Sequence, residues 1–508
     1  MVVAEAPLRR TARPAASDML LVGVGLVPVA GYLLTALRRV GYPYELSYFE
    51  GSTVEVTARV VAGGSLYGPP STEFTPWPYP PLFFWLGAAV SDVTGLNISA
   101  LRWVSVIASI VVLVLIAAIV RQVGGSIVAG TVAAGLYAAS YPVSGAWADT
   151  ARVDSLLLAA LLAAVFAGLR ARSAAGGLLV GVLLFAAFLS KQNAVLVAGP
   201  LLLWLLMHRR RAGLAGTACF VGLLVVSTVV ADGLTGGWYS ASVFGQLVGQ
   251  PWALQWLAGF WLLDILLPFC IAIAVGCWAV RRFGLKLPGG QRWWRRSGDT
   301  SYLLAGVLGL LLAALSGRIH DGGYANVAMP AHAGVAICFG VLLAKARRSA
   351  AFTDRMALSV AAVLALQYAF MSLWGWDVQP SGADQRAGNA FIAAVQQLPG
   401  QVLIPSHPYY LRLAGGPAGA SAIAVRDALL SHGKMRDATQ AILPCKLTGI
   451  DSVILDNLDQ AALFGTELTR DFTLVDTAFV PDGALVQVTD EPSRPSLLYL
   501  RTSVLQGR

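Results

Sequence analysis

Apolar runs of about 20 residues recur along most of residues 1–376. Inside a lipid bilayer every backbone N–H and C=O must be paired within the chain, so such runs fold as membrane-crossing helices. Eleven crossings are expected, at 18–37, 100–120, 126–142, 154–169, 174–190, 192–207, 213–232, 258–280, 301–317, 327–344 and 356–374. Only 12% of the residues are charged, against about a quarter in soluble domains. That excludes a disordered chain, a coiled coil and an ordinary cytosolic enzyme. The five cysteines include four in apolar segments, and no CxxC or His/Cys cluster suggests a zinc site.

The net charge of +9 resembles a nucleic-acid signal until it is divided by position. Residues 1–376 hold 26 Lys and Arg against 14 Asp and Glu, net +12, while 377–508 hold 10 against 13, net −3. No nucleic-acid partner is therefore expected. The basic loops (Arg170 and Arg172, Arg209–Arg211, Arg281 to Arg296, Lys345 to Arg355) fall on one side together with Arg9, Arg10 and Arg13. The positive-inside rule makes that side cytoplasmic. An odd number of crossings then places the C-terminus outside, in a multi-pass inner-membrane protein.

The first apolar segment lacks a small-residue cleavage site and runs into Arg38 and Arg39, so a retained span is expected rather than a signal peptide. The run Pro81–Val90 is too short to cross and reads as an interfacial helix. Beyond residue 377, Gln401–Pro405 and Asp451–Leu455 read as strands, Ala424–His432 as a helix, and Phe472–Val488 as a hairpin turning at Pro481–Gly483. The expected fold is an α-helical polytopic membrane protein of about eleven helices with a small extracytoplasmic α/β domain. Its divisions are a cytoplasmic tail (1–17), a membrane domain (18–376, first outer loop about 38–99) and the outer domain (377–508). Gly23-x-Gly25 sits inside the first span and reads as helix packing.

Most acids of the membrane half fall on or near the outer face: Glu45, Glu50, Glu55, Glu73, Asp92, Asp149, Asp154, Asp232 and Asp321. An outward-facing acidic cavity explains this, as would basic loops that leave the acids on the other side. The first outer loop is dense in Tyr, Trp, Pro and Glu. Glu50 opens a helix there, where a carboxylate can act as a positioned general base or simply favour the helix N-terminus. Asp149-Thr150-Ala151-Arg152-Val153-Asp154 marks the outer ends of the third and fourth spans. Lys191, between two spans that share only about 34 residues, is costly unless it meets an anion or a cavity. Arg318-Ile319-His320-Asp321-Gly322-Gly323-Tyr324 forms a further outer loop. Arg318 and Lys191 together suit a phosphate, Arg by a bidentate contact and Lys as a point charge, although each could instead snorkel to lipid headgroups.

Together these segments resemble the GT-C membrane glycosyltransferases, in particular the bacterial relatives of dolichyl-phosphate-mannose protein mannosyltransferases and the lipid A aminoarabinose transferase. That family opens its first outer loop with Asp-Glu-Ala-x-Tyr-Ala-x-x-Ala-Arg, then Gly, Tyr or Trp, and Pro-Pro-Leu. Here Glu50 to Ala58-Arg59 has the same spacing, followed by Gly64, Tyr67 and Pro80-Pro81-Leu82. The resemblance covers roughly 18–345 and departs in three ways. Glu replaces Asp, Gly51 replaces the second acid, and Tyr79 stands where some members carry Lys.

The resemblance implies a transferase that moves a sugar from a polyprenyl-phosphate donor to an envelope glycan, lipid or protein, with membrane lipids around it. Glu50 would be the catalytic base, with Asp149, Asp154 and Glu55 as supporting acids. Lys191, Arg318 and Arg59 would hold the donor phosphate. Tyr48, Tyr79, Arg152, His320 and Asp321 would line the substrate cavity. A divalent metal between Glu50 and Asp154 is compatible with the family. The competing readings are a transporter or flippase of lipid-linked sugars, which predicts repeats and broken mid-membrane helices, and a partner-binding subunit.

Overall fold

The computed structural model describes residues 16–285, 298–375, 378–480, 485, 487–489 and 493–506. Helices occupy all of the expected spanning segments. They are α1 (Ala16–Val40), α4 (Ile98–Gly124), α5 (Ile127–Ala139), α6 (Asp154–Arg170), α7 (Ala174–Ser190), α8 (Val195–His208) and α9 (Arg210–Thr235), with α2 (Tyr48–Val61) and α3 (Leu82–Thr94) between the first two. They continue with α10 (Cys270–Arg282), α11 (Asp299–Arg318), α12 (Met329–Arg347) and α13 (Asp354–Met371). Among the described residues, six helices are long and apolar enough to cross, or seven if Trp256–Leu266 and Cys270–Arg282, bent by 71°, form one span. Six or seven of the eleven expected crossings meet that length among the described residues. α5, α6 and α7 have 13 to 17 residues and rise about 20–26 Å, short of a hydrocarbon core of about 30 Å.

Side-chain caps set several helix starts. Ser47, Asn97, Ser126 and Ser173 each accept a backbone N–H of the turn that follows. Small residues let the bundle close. A Cβ on Gly135 would lie 2.2 Å from the Gly25 carbonyl oxygen, and one on Gly177 would lie 2.1 Å from that of Ala212. Gly25 thus packs α1 on α5 as expected, whereas Gly23 meets nothing. At one end of the bundle Arg172 and Arg209 share Asp299, and Arg347 meets Asp18. The expected basic loops therefore gather on one side; Arg9, Arg10, Arg13 and most of the Arg281–Arg296 loop lie outside the described residues.

The C-terminal segment carries a four-stranded sheet of order β1-β2-β4-β3: β1 (Val402–Leu403), β2 (Ser452–Leu455), β3 (Phe472–Asp476) and β4 (Leu497–Arg501). β1 and β2 are parallel; the other pairs are antiparallel. β3 pairs with β4, and the hairpin turn expected at Pro481–Gly483 lies outside the described residues. This segment shares one apolar core with the first outer loop, since Tyr42, Tyr44, Leu46, Val54 and Phe83 cluster with Phe391, Ile404, Tyr409, Tyr410 and Leu498. A second apolar cluster, with Leu403, Val453, Phe464 and Tyr499, lies wholly within the C-terminal segment.

Candidate active site

Ser47 starts α2, so Glu50 sits in its first turn. Its side chain is 0% exposed. Arg102, from α4, grips both carboxylate oxygens at 2.8 and 2.7 Å, and the backbone N–H groups of Leu46 and Ala151 add bonds of 2.7 and 2.8 Å. Arg102 in turn donates to the carbonyls of Arg39, Tyr42 and Tyr44. Burial alone would raise the Glu50 carboxyl, but the guanidinium and the backbone donors hold it below its ordinary value. The expectation that Glu50 is the base meets a physical obstacle. Its lone pairs are engaged by four donors, two of them backbone N–H groups. It ties the outer loop to α4 and to the loop before α6.

Asp154, the first residue of α6, is held differently. Lys191 Nζ lies 2.8 Å from one oxygen; Asn326 at 3.0 Å and Arg152 at 3.4 Å approach the other. Arg152 lies over the rings of Phe49 and Trp147 at 4.0 and 4.5 Å and reaches the Tyr79 hydroxyl at 3.3 Å. Lys191 sits 5.7 Å from the Tyr79 ring centroid and is 15% exposed. The structure thus gathers four expected residues, Tyr79, Arg152, Asp154 and Lys191, into one network. Asp149 stands apart, bonded to Arg39 and Tyr141.

A cavity of about 670 Å³ opens between this region and the C-terminal segment. Tyr48, Arg318, His320 and Asp321 line it, joined by Tyr324 and Arg426. The Tyr48 and Tyr324 hydroxyls meet at 2.8 Å, and Tyr324 also contacts Phe49 and Trp147. Tyr48, Tyr324, Phe49 and Trp147 thus form an aromatic cluster between the cavity and the Asp154 network. Arg318 bonds Asp264 at 2.8 Å and the Gly323 carbonyl at 2.6 Å and lies 4.1 Å from the Trp256 ring centroid. Asp321 pairs with Arg426 at 2.7 Å. Lys191 and Arg318, expected to hold one phosphate together, each have their own carboxylate partner, and the Gly323–Asn326 stretch links the two networks.

A sequence model of the family described as dolichyl-phosphate-mannose-protein mannosyltransferase matches residues 78–232. That span includes Tyr79, Arg152, Asp154 and Lys191. The structure is similar to that of ArnT from Cupriavidus metallidurans bound to undecaprenyl phosphate, with a TM-score of 0.59, 13% identity, and coverage of 96% of this chain and 99% of that one. It is also similar to the Archaeoglobus fulgidus oligosaccharyltransferase tethered with an acceptor peptide, with a TM-score of 0.53, 11% identity, and coverage of 87% and 69%. No curated protein matches the chain by sequence. The fold is the one these two membrane-protein structures share.

Within this fold, Glu55 and Arg59 face a second cavity, of about 260 Å³. Arg59 is spent on the Ser65 carbonyl and on Phe74, so it does not join Lys191 or Arg318 as expected of a phosphate ligand. Nor do Glu50 and Asp154 fit a metal. Each already faces one or more cationic side chains that would repel a dication, and among the described residues no group of three or more His, Cys, Asp or Glu converges. Sequence reasoning passed over a buried cluster in which His407 lies between two carboxylates, 2.5 Å from Glu45 and 3.2 Å from Asp456. Ser493 bonds Asp456 and lies 3.3 Å from His407. Burial disfavours the imidazolium, but Asp456 and Glu45 raise His407 to about 10. It is a charged clasp between the outer loop and the C-terminal segment, not a base. His407 and Glu45 are 362 residues apart in the chain, so no local pattern announces their pairing.

Proposed function

We propose that the chain moves a sugar from a polyprenyl-phosphate donor to an envelope acceptor, on the side of the membrane that holds the C-terminal segment. The observation that carries this reading is the Asp154–Lys191 pair, a carboxylate and a part-exposed ammonium joined through Asn326 to the cavity-lining Tyr324. The presence of undecaprenyl phosphate in the similar ArnT structure supports a ligand of that class.

The donor phosphate competes with Asp154 for Lys191. A carboxylate that loses its ammonium partner holds a proton more readily, so donor binding readies Asp154 as the base. Asp154 accepts the proton of the acceptor hydroxyl as that oxygen attacks the anomeric carbon. The bond from that carbon to the phosphate oxygen breaks, and its electron pair leaves with the lipid phosphate. Lys191 stabilises the charge that develops there, while Arg318 and His320 contact polar groups of the donor in the cavity. Glu50 is a positioning residue in this scheme. Its bond to the Ala151 N–H fixes the loop that carries Arg152 and leads into Asp154.

Purified protein incubated with a panel of polyprenyl-phosphate sugars should release polyprenyl phosphate from at least one of them. Release from none, by folded protein, contradicts the reading. One observation favours transport instead: the helix pair Trp256–Leu266 and Cys270–Arg282, broken by 71°. Transport predicts movement of the intact donor across a vesicle membrane without cleavage of its sugar.

A further inference from the structure

The second cavity lies on the other side of Trp77 from the Asp154 network. Trp77 lines it and packs its ring against Phe49 and Tyr79, each at 5.7 Å between centroids. Its walls are α2 and the chain around Arg412 and Ala418–Ser421, so it forms only where the outer loop meets the C-terminal segment. Arg412 grips Glu55 through two bonds of 2.6 and 2.7 Å, and Ser52 bonds Ser421 at 2.7 Å. Arg59 stacks on Phe74 at 4.1 Å, and Glu73 completes the rim.

Two features define what fits here. First, two carboxylates (Glu55, Glu73) face two guanidinium groups (Arg59, Arg412), so the formal charge of the lining balances. A phosphate would draw no net attraction from such a site. Second, Thr75 is 3% exposed and its hydroxyl has no hydrogen-bond partner. Leaving a buried hydroxyl unpaired is costly, which points to a partner supplied by a ligand. Fixed donors and acceptors on an aromatic floor suit a neutral polyhydroxylated ring, whose hydroxyls meet the charged groups and whose C–H face meets an indole.

We propose that this crevice binds a neutral saccharide of the acceptor, so that the acceptor enters from the α2 side while the donor occupies the larger cavity. This rests on the transferase reading for the word acceptor, but the binding itself does not require turnover. Saturation-transfer NMR on the full-length protein in detergent, without donor, with free tetrasaccharides of mannose, galactose and glucose at millimolar concentration, is the test. At least one should bind. Thr75→Val should weaken it roughly fivefold to tenfold, the value of one hydrogen bond, whereas Thr75→Ser, which keeps the hydroxyl, should bind like the wild type. Failure of all three sugars to bind, or equal binding by Thr75→Val, overturns the proposal. Saccharide binding by a protein that cleaves no polyprenyl-phosphate sugar would uphold this site and count against the transferase reading.

Discussion

Glu50 and Asp154 are buried carboxylates of the same outer region, and both face an arginine, yet their partners differ in kind. Glu50 is bonded to backbone N–H groups and to Arg102, which is itself pinned by three backbone carbonyls. None of those groups can leave without moving the chain. Asp154 is bonded only to side chains, one of them a lysine on a flexible stem at the surface of its network. A carboxylate locked by backbone donors is a structural tie; one balanced by a mobile cation can be released by a competing anion. Position in a motif does not separate the two roles, but the identity of the donors does.

Substitution should break this contrast cleanly. Asp154→Asn should lower the turnover rate by roughly 10²–10⁴, the range for loss of a general base, with the melting temperature less affected than by any change at Glu50. Glu50→Gln should act first on stability, because an unpaired buried Arg102 costs about 3–5 kcal/mol. Thermal unfolding should show that loss, and the fraction that remains folded should still turn over. A folded, fully stable Glu50→Gln protein without activity would exchange the two roles. Lys191→Met should raise the donor KM by roughly tenfold or more, as for loss of a charged hydrogen bond, with a smaller change in the KM of the acceptor.

The smallest effect concerns the clasp. His407 is raised to about 10 from an ordinary value near 6.5, so between those values the folded protein holds a proton that the unfolded chain releases. Its stabilisation is complete below about 6.5 and is lost as the pH rises toward 10. Glu45, raised to about 7 chiefly by burial, adds a slope of the same sign between its ordinary 4.5 and 7. The melting temperature of the wild type should therefore fall between pH 7 and 10, and His407→Gln should flatten that fall. A His407→Gln curve parallel to the wild type would remove the clasp from the account.

Where local pattern carries the information, the sequence was legible. Apolar runs located the helices, Glu50 located α2, and the short runs near 402 and 452 located β1 and β2. The Arg152–Asp154 stretch was recognisable because charges at a helix start stand out in an apolar chain. Other features depend on distant parts of the chain. Arg39 reads as the basic flank of the first span, yet it is fully buried and pairs with Asp149. Arg102 reads as an ordinary residue near a span end, yet it decides the state of Glu50. The length of α5 was overestimated because apolar composition continues beyond its last hydrogen-bonded turn, whereas α6 and α7 have the expected extents.

The most direct measurement is an experimental structure of the protein with polyprenyl phosphate. The account predicts the phosphate beside Lys191, with Lys191 and Asp154 drawn apart and the four bonds to Glu50 unchanged. A phosphate bound elsewhere, with the 2.8 Å Lys191–Asp154 pair intact, or one that opens the Arg102–Glu50 pair, would contradict it.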